Sequence, residues 1–269
     1  MRGCSTSFDP LLKRRYMDIV IIGSGNVAAV LGRKFKTAGH RILQVYSRNA
    51  SAASELAYEW DTESTNYKSL INLNADVYII AINDDAIPGV ATGLYLPGKV
   101  VAHTAASVPM EVLKEVTNHY GVFYPLQSLR KEMKELPDIP VFYDGHDETA
   151  QRRLESLARS ISPQHVGQAG DDARSKLHVA AVVVSNFTNH LYKLAEDYCR
   201  KEGLDFTQLR PLIEETALRL RTVSPADAQT GPALRHDAET IQKHLALLNA
   251  HPNLKNIYLL LTESIQQGD

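Results

Sequence analysis

The sequence predicts a doubly wound α/β domain with a mostly parallel sheet, followed by an all-α domain. Three observations carry this. From residue 17 to about residue 168, short β-branched runs alternate with helical stretches, which is the rhythm of βαβ units. The early runs are apolar at nearly every position, as a sheet covered on both faces requires. After Gln168 the strand signal stops, and residues 171–201 contain neither Pro nor Gly.

The elements follow in order. "DIVIIG" is a strand running into a glycine turn, and the next helix runs to about Ala38. "RILQVYS" is a strand, residues 51–59 a helix, and "DVYIIAI" and "GKVVAHT" two more strands. "GVFYPL", "PVFYD" and "PQHVGQ" extend the sheet to about Gln168. Residues 171–201 then read as one long helix stopped by Gly203, a residue that readily takes the left-handed helix-ending conformation. Further helices are expected over 207–223, 238–250 and 253–266. The expected boundaries are a flexible leader over 1–16, a nucleotide-binding domain over 17–168 and a helical domain over 169–269.

Composition narrows the function classes. With 269 residues, 44% hydrophobic and 22% charged, the chain can bury a sizeable core, so disorder is not expected. A net charge of -2 gives no electrostatic reason for a nucleic acid or an anionic membrane as partner, which leaves small molecules. Cys4 and Cys199 are too few and too isolated for a disulfide framework or thiolate metal site, and a reducing cytoplasm is the plain expectation. No apolar run reaches the roughly 18 to 20 residues of a membrane span, and the first residues lack the apolar core of a signal peptide.

"GSGNVA", Gly23 to Ala28, follows the first strand and opens the first helix, the context the G-x-G-x-x-G/A dinucleotide fingerprint requires. Gly23 permits the tight turn, Gly25 lets backbone approach a pyrophosphate, and Ala28 allows helix and strand to pack closely. Ser24, Asn26 and Val27 complete the loop, whose helix N-terminus offers N–H groups and partial positive charge to phosphates. At the next strand end, "YSRN" has no acidic residue to bind a ribose 2'-hydroxyl. It offers Ser47 and Arg48 to a 2'-phosphate instead, so NADP is the expected cofactor. Asn83 in "AINDDAI" sits where the sheet's crevice opens, either beside the cofactor or capping the next helix.

These residues, with "VVAHTAAS", "FYPLQSL", "KLHVAAVVVSNF", and "TGPALRHD" followed by "HLALL", resemble the Rossmann-like oxidoreductases that carry a DUF2520 domain. Their relatives are the F420-dependent NADP oxidoreductases, the pyrroline-5-carboxylate reductases and the 6-phosphogluconate dehydrogenase superfamily. The resemblance covers nearly the whole chain after Met17. It implies a Rossmann domain, a C-terminal domain like that of 6-phosphogluconate dehydrogenase, NADP as cofactor, and a homodimer formed through the helical domain. Members of the wider superfamily carry catalytic Lys and Asn four residues apart on the first long helix, whereas here Ala180 stands four residues after Lys176.

Candidate chemistry is spread over several segments. His103 at a strand end and Gln127 in "YPLQS" are candidates to touch substrate, or are a packed histidine and a helix-capping group. On the expected long helix, His178, Ser185 and Asn189 fall within about 20° of one stripe, with Asn186 about 80° away. His178 is the candidate general acid, with Ser185 or Asn186 orienting substrate, because hydride delivery to C=O or C=N needs a matching proton. The plain alternative is hydrogen bonding between domains. In "TGPALRHD", Gly231 and Pro232 stiffen a turn, Asp237 caps the next helix, and Arg235 is left to bind a substrate carboxylate or phosphate, or to pair with Asp237. No metal-ligand cluster or G-x-S-x-G elbow is present in the sequence. The expected function is NADP-dependent oxidation or reduction of a small polar metabolite between the two domains. The alternative is a non-catalytic NADP(H)-binding sensor.

Overall fold

The computed structural model describes residues 16–133 and 135–268, so the leader expected over 1–16 lies outside them apart from Tyr16. The chain divides into two compact units, between Val182 and Val183. The first contains β1 (Asp18–Ile22), α1 (Asn26–Thr37), β2 (Arg41–Tyr46), α2 (Ala50–Trp60), β3 (Glu63–Thr65), β4 (Val77–Ile80) and α3 (Ile87–Ala91). It continues with β5 (Val100–His103), β6 (His119–Pro125), β7 (Val141–Gly145), α4 (Glu148–Ile161), β8 (Val166–Gln168) and α5 (Asp171–Ala181).

One eight-stranded sheet has the order β3-β2-β1-β4-β5-β6-β7-β8. Every pairing is parallel except β6 with β7. The apolar runs are buried on both faces because successive side chains point to opposite sides of a strand. Ile19, Ile21 and Ile79 join Leu31, Phe35, Trp60 and Leu157 in one core, while Val20, Ile22 and Ile80 join Ile87, Leu96 and Leu113 in the other. At roughly 25 cal/mol per Å2 of apolar surface, each such side chain contributes about 1.5 to 3 kcal/mol. The topology reverses between β1 and β4, and the crevice at such a switch point is where doubly wound sheets bind ligands.

α4 is an element that the strand-run reading passes over. Asp147 caps it by accepting from the Ala150 N–H, and Ala150, Leu154, Leu157, Ala158 and Ile161 form its buried stripe.

The second unit holds α6 (Thr188–Lys201), α7 (Arg210–Arg219), α8 (Pro225–Ala228), α9 (Ala238–Leu247) and α10 (Pro252–Gln267). The single helix expected over 171–201 is not uniform: residues Val182–Phe187 form a π-helical segment between α5 and α6. A π turn bonds i to i+5 and takes up an extra residue. The 3.6-residue period behind a shared His178, Ser185 and Asn189 stripe therefore does not run through it. Among the described residues, no helix is long and apolar enough to cross a membrane.

Candidate functional site

A cavity of about 520 Å3 opens at the carboxyl ends of β1, β2 and β4. Its lining includes Gly23 to Val27, Tyr46 to Asn49, Ala81 to Asn83, and Leu129. The two fingerprint glycines have different physical reasons. Gly23 has φ +131°, and a Cβ there would lie 2.0 Å from the Ala81 carbonyl oxygen, so the turn against the end of β4 excludes any side chain. At Gly25 a Cβ would meet nothing within 4 Å; its hydrogen leaves open a space that a branched residue would fill. Gly25 is also the N-cap of α1 and supplies no side-chain cap, so the first-turn N–H groups suit an anion. Ala28 is fully buried, in keeping with close helix-to-sheet packing.

The end of β2 closes one side of the cavity. Ser47 and Ser24 share a 2.8 Å hydrogen bond between their hydroxyls, and the Ser47 hydroxyl accepts from the Asn49 N–H. Arg48 is exposed beside them and forms no ion pair among the described residues. Asn49 caps α2 through the Ala52 N–H. An open cradle at Gly25, an uncapped helix start and an exposed guanidinium fit a dinucleotide with a 2'-phosphate. The structure thus gathers Gly23, Ser24, Gly25, Asn26, Val27, Ser47, Arg48 and Asn83 around one cavity.

Asn83 starts the single-turn 3-10 helix Asp84–Ala86 without capping it by its side chain. Asp84 accepts a hydrogen bond from the Ser107 hydroxyl at 2.9 Å. His103, at the end of β5, is wholly enclosed, and its Nδ1 accepts from the Ala105 N–H. Burial, then the nearby Arg174 charge, lower its pKa to about 4, so it is neutral at physiological pH. With Nδ1 accepting, its proton sits on Nε2, a buried atom without a hydrogen-bond partner among the described residues. The Pro109 carbonyl, Asp171 and Asp84 oppose this lowering more weakly. Gln127 is exposed and braces its own loop, accepting from the Ser128 N–H and donating to the Asp138 carbonyl.

Two residues absent from the sequence reading stand out here. Tyr124, at the end of β6, lies 3.1 Å through its hydroxyl from His178 Nδ1, with the rings edge to face. Burial raises the Tyr124 pKa, opposed by Arg174 and helped by Asp84. Arg174, 1% exposed, reaches from α5 to the carbonyls of Ala106 and Val108 and to the Asp171 carboxylate. Their sequence signals are faint, a tyrosine inside an apolar strand and an arginine in a charged first turn. Lys176 is exposed and pairs with Asp172.

The second unit holds the other candidates. Ser185 and Asn186 lie in the π segment, half-buried and exposed respectively. Residues 230–237 form a turn, with Gly231 at φ +110° and His236 at φ +51°. Asp237 caps α9 by accepting from both the N–H and the hydroxyl of Thr240. Those bonds, more than Arg235, lower its pKa. Arg235 is exposed and makes no ion pair with Asp237 among the described residues, so the cap holds without it.

The described geometry agrees with known proteins. Residues 18–107 match the model described as NADP oxidoreductase, coenzyme F420-dependent, and residues 139–265 match a domain of unknown function, DUF2520. No curated protein matches the chain. A protein from Bacteroides fragilis assigned as an NADP oxidoreductase is 37% identical, over 94% of this chain and 99% of that one, with a TM-score of 0.83. A 1-pyrroline-5-carboxylate reductase from Streptococcus pyogenes is 15% identical over 94% and 100%, with a TM-score of 0.63. An imine reductase from Myxococcus stipitatus, solved with NADP+, is 17% identical over 93% and 95%, also at 0.63. These last two share the fold. The resemblance expected from the motifs is borne out: the chain belongs to the NADP oxidoreductase family with a DUF2520 domain, an NADP-dependent oxidoreductase by descent with NADP as its cofactor.

Proposed function

We propose that the protein reduces or oxidises a small polar metabolite at a C=O or C=N bond, with His178 supplying or taking the proton. NADPH, when bound, supplies the hydride. The observation that carries this is the 3.1 Å contact of the Tyr124 hydroxyl with His178 Nδ1. Burial keeps Tyr124 protonated, and its hydroxyl oxygen accepts from His178 Nδ1–H in this proposal, which leaves Nε2, on an exposed ring, to give a proton from the imidazolium and to take one as the neutral imidazole. A positioned donor of this kind typically contributes 10² to 10⁴ in rate.

The other candidates keep auxiliary roles in this proposal. Arg48 and Ser47 hold the 2'-phosphate, and the turn from Gly23 to Val27 holds the pyrophosphate. Asn83 lies beside the cofactor, His103 and Gln127 shape the substrate side, Ser185 and Asn186 orient substrate, and Arg235 clamps a substrate anion. The helical unit is proposed to form the homodimer, on the grounds that Val184, Phe187, Leu212, Leu218 and Leu260 are exposed and apolar surface of that kind favours a partner. A second reading, a non-catalytic NADP(H) sensor, is favoured by Lys176, which is spent on an exposed pair with Asp172 and lacks an Asn four residues on.

One experiment separates the readings. The protein is titrated with NADPH, NADP, NADH and NAD, then offered a panel of carbonyl and imine compounds while NADPH absorbance is followed. Binding with turnover supports the enzyme; tight binding with no turnover across the panel supports the sensor.

A further inference from the structure

The cofactor's two halves have separate addresses on this sheet. With the pyrophosphate at the start of α1 and the 2'-phosphoribose at the end of β2, the nicotinamide half of a bound dinucleotide would extend across the switch point towards the ends of β4 and β5. Two ties hold the loops there. Ser107 donates to Asp84, joining the loop after β5 to the loop after β4 at 2.9 Å. Arg174 donates through Nε to the Ala106 carbonyl at 2.9 Å and through Nη2 to the Val108 carbonyl at 2.7 Å. The two carbonyls bracket Ser107, so one planar fork fixes the curvature of the segment that carries the other tie.

We infer that Arg174 is a positioning residue for the nicotinamide half of the cofactor pocket, acting by clamping the Ala106–Val108 segment, an inference that rests on NADP being the cofactor. Burying a guanidinium costs several kcal/mol before compensation. Asp171, at 2.7 Å, balances its charge, yet Nη1 is buried with no hydrogen-bond partner among the described residues. Folded proteins rarely keep such an orphaned donor without a use. A shorter neutral donor would satisfy one carbonyl; the fork satisfies two at a set spacing, which a lysine ammonium does not reproduce.

The test compares two ligands, NADPH and 2'-phospho-ADP-ribose, which lacks the nicotinamide. Native protein and Arg174→Lys are titrated with each, and the fluorescence of bound NADPH is recorded. The expected result is that the fragment's affinity holds within about twofold while NADPH loses about tenfold and its bound emission moves towards that of free NADPH. Equal losses for both ligands, or no loss for either, overturn the inference. If Arg174→Lys does not fold, Ser107→Ala carries the same comparison, since Ser107 is exposed and its loss opens only the tie to Asp84, which the clamped segment carries. A selective loss for NADPH of about threefold or more supports the clamp, and unchanged NADPH binding overturns it. Failure of the native protein to bind the fragment strikes instead at the NADP assignment on which the inference rests.

Discussion

The hydroxyls of Ser24 and Ser47 lie 2.8 Å apart, fastening the turn after β1 to the end of β2. Those two segments are 23 positions apart in the chain and have different tasks in the proposed function, one cradling the pyrophosphate and the other reading the ribose. Joined, they make a single wall with Arg48 on its rim. Ser47 also accepts from the Asn49 N–H, so the rim's backbone is held before any ligand arrives. Preorganisation of this kind reduces the ordering cost of binding.

Arg48→Ala is expected to weaken NADP binding more than NAD binding, by about 1 to 3 kcal/mol, the worth of a charge-assisted phosphate contact. Calorimetric titration with both nucleotides checks it. Equal losses would remove the 2'-phosphate role.

The two glycines of the turn are expected to fail differently. Gly25→Val has open space around its Cβ, so the fold should persist while dinucleotide binding is abolished. Gly23→Ala drives a methyl into the Ala81 carbonyl in a left-handed conformation, and a stability loss of at least about 3 kcal/mol is expected. Urea melts with parallel NADPH titrations distinguish them; a folded Gly25→Val that binds normally would refute the cradle.

Stability should fall on mild acidification. The folded pKa of His103 is lowered to about 4 by burial and Arg174, below its unfolded value near 6.5. The unfolded chain therefore binds the proton more readily, and the stability present above pH 6.5 is lost as the pH falls towards 4. The loss between pH 7 and pH 5 is about 2 kcal/mol. His40, lowered by burial between the Met17 N–H and Ser160, acts in the same direction. Urea midpoints measured across this range should decline; a flat profile to pH 4.5 would contradict the buried neutral histidines.

Arg235→Lys preserves charge and removes the fork. Because Asp237 already caps α9 through Thr240, melting temperature and NADPH binding should stay unchanged while affinity for an anionic substrate drops about tenfold. A lower melting temperature with unaltered substrate binding would make the turn scaffolding.

Much of the first unit is legible in the sequence because its signals are local. The strands of β1, β4 and β5 are continuous apolar runs, and the fingerprint depends on three residues in one turn. What escapes local reading has physical reasons. β7 runs antiparallel to β6, which no run of five residues encodes. In α4 the apolar residues are spaced four and three apart among charges, so a search for runs misses what a search for helical period finds. The π segment contains Val182, Val183 and Val184, β-branched residues that weaken a regular helix, a hint without a position. Tyr124 and His178 are 54 positions apart, and Arg174 meets Ala106 across 68. Such pairs exist only once the sheet has formed.

Turnover by the native protein and by His178→Ala tests the central claim most directly. Each is given NADPH and the carbonyl or imine compound that the native protein turns over fastest, and NADPH loss is followed with cofactor affinity measured in parallel. The expected result is a fall in kcat of roughly 10² or more with NADPH binding kept within about twofold, and a smaller fall for Tyr124→Phe. Full activity in folded His178→Ala would contradict the account.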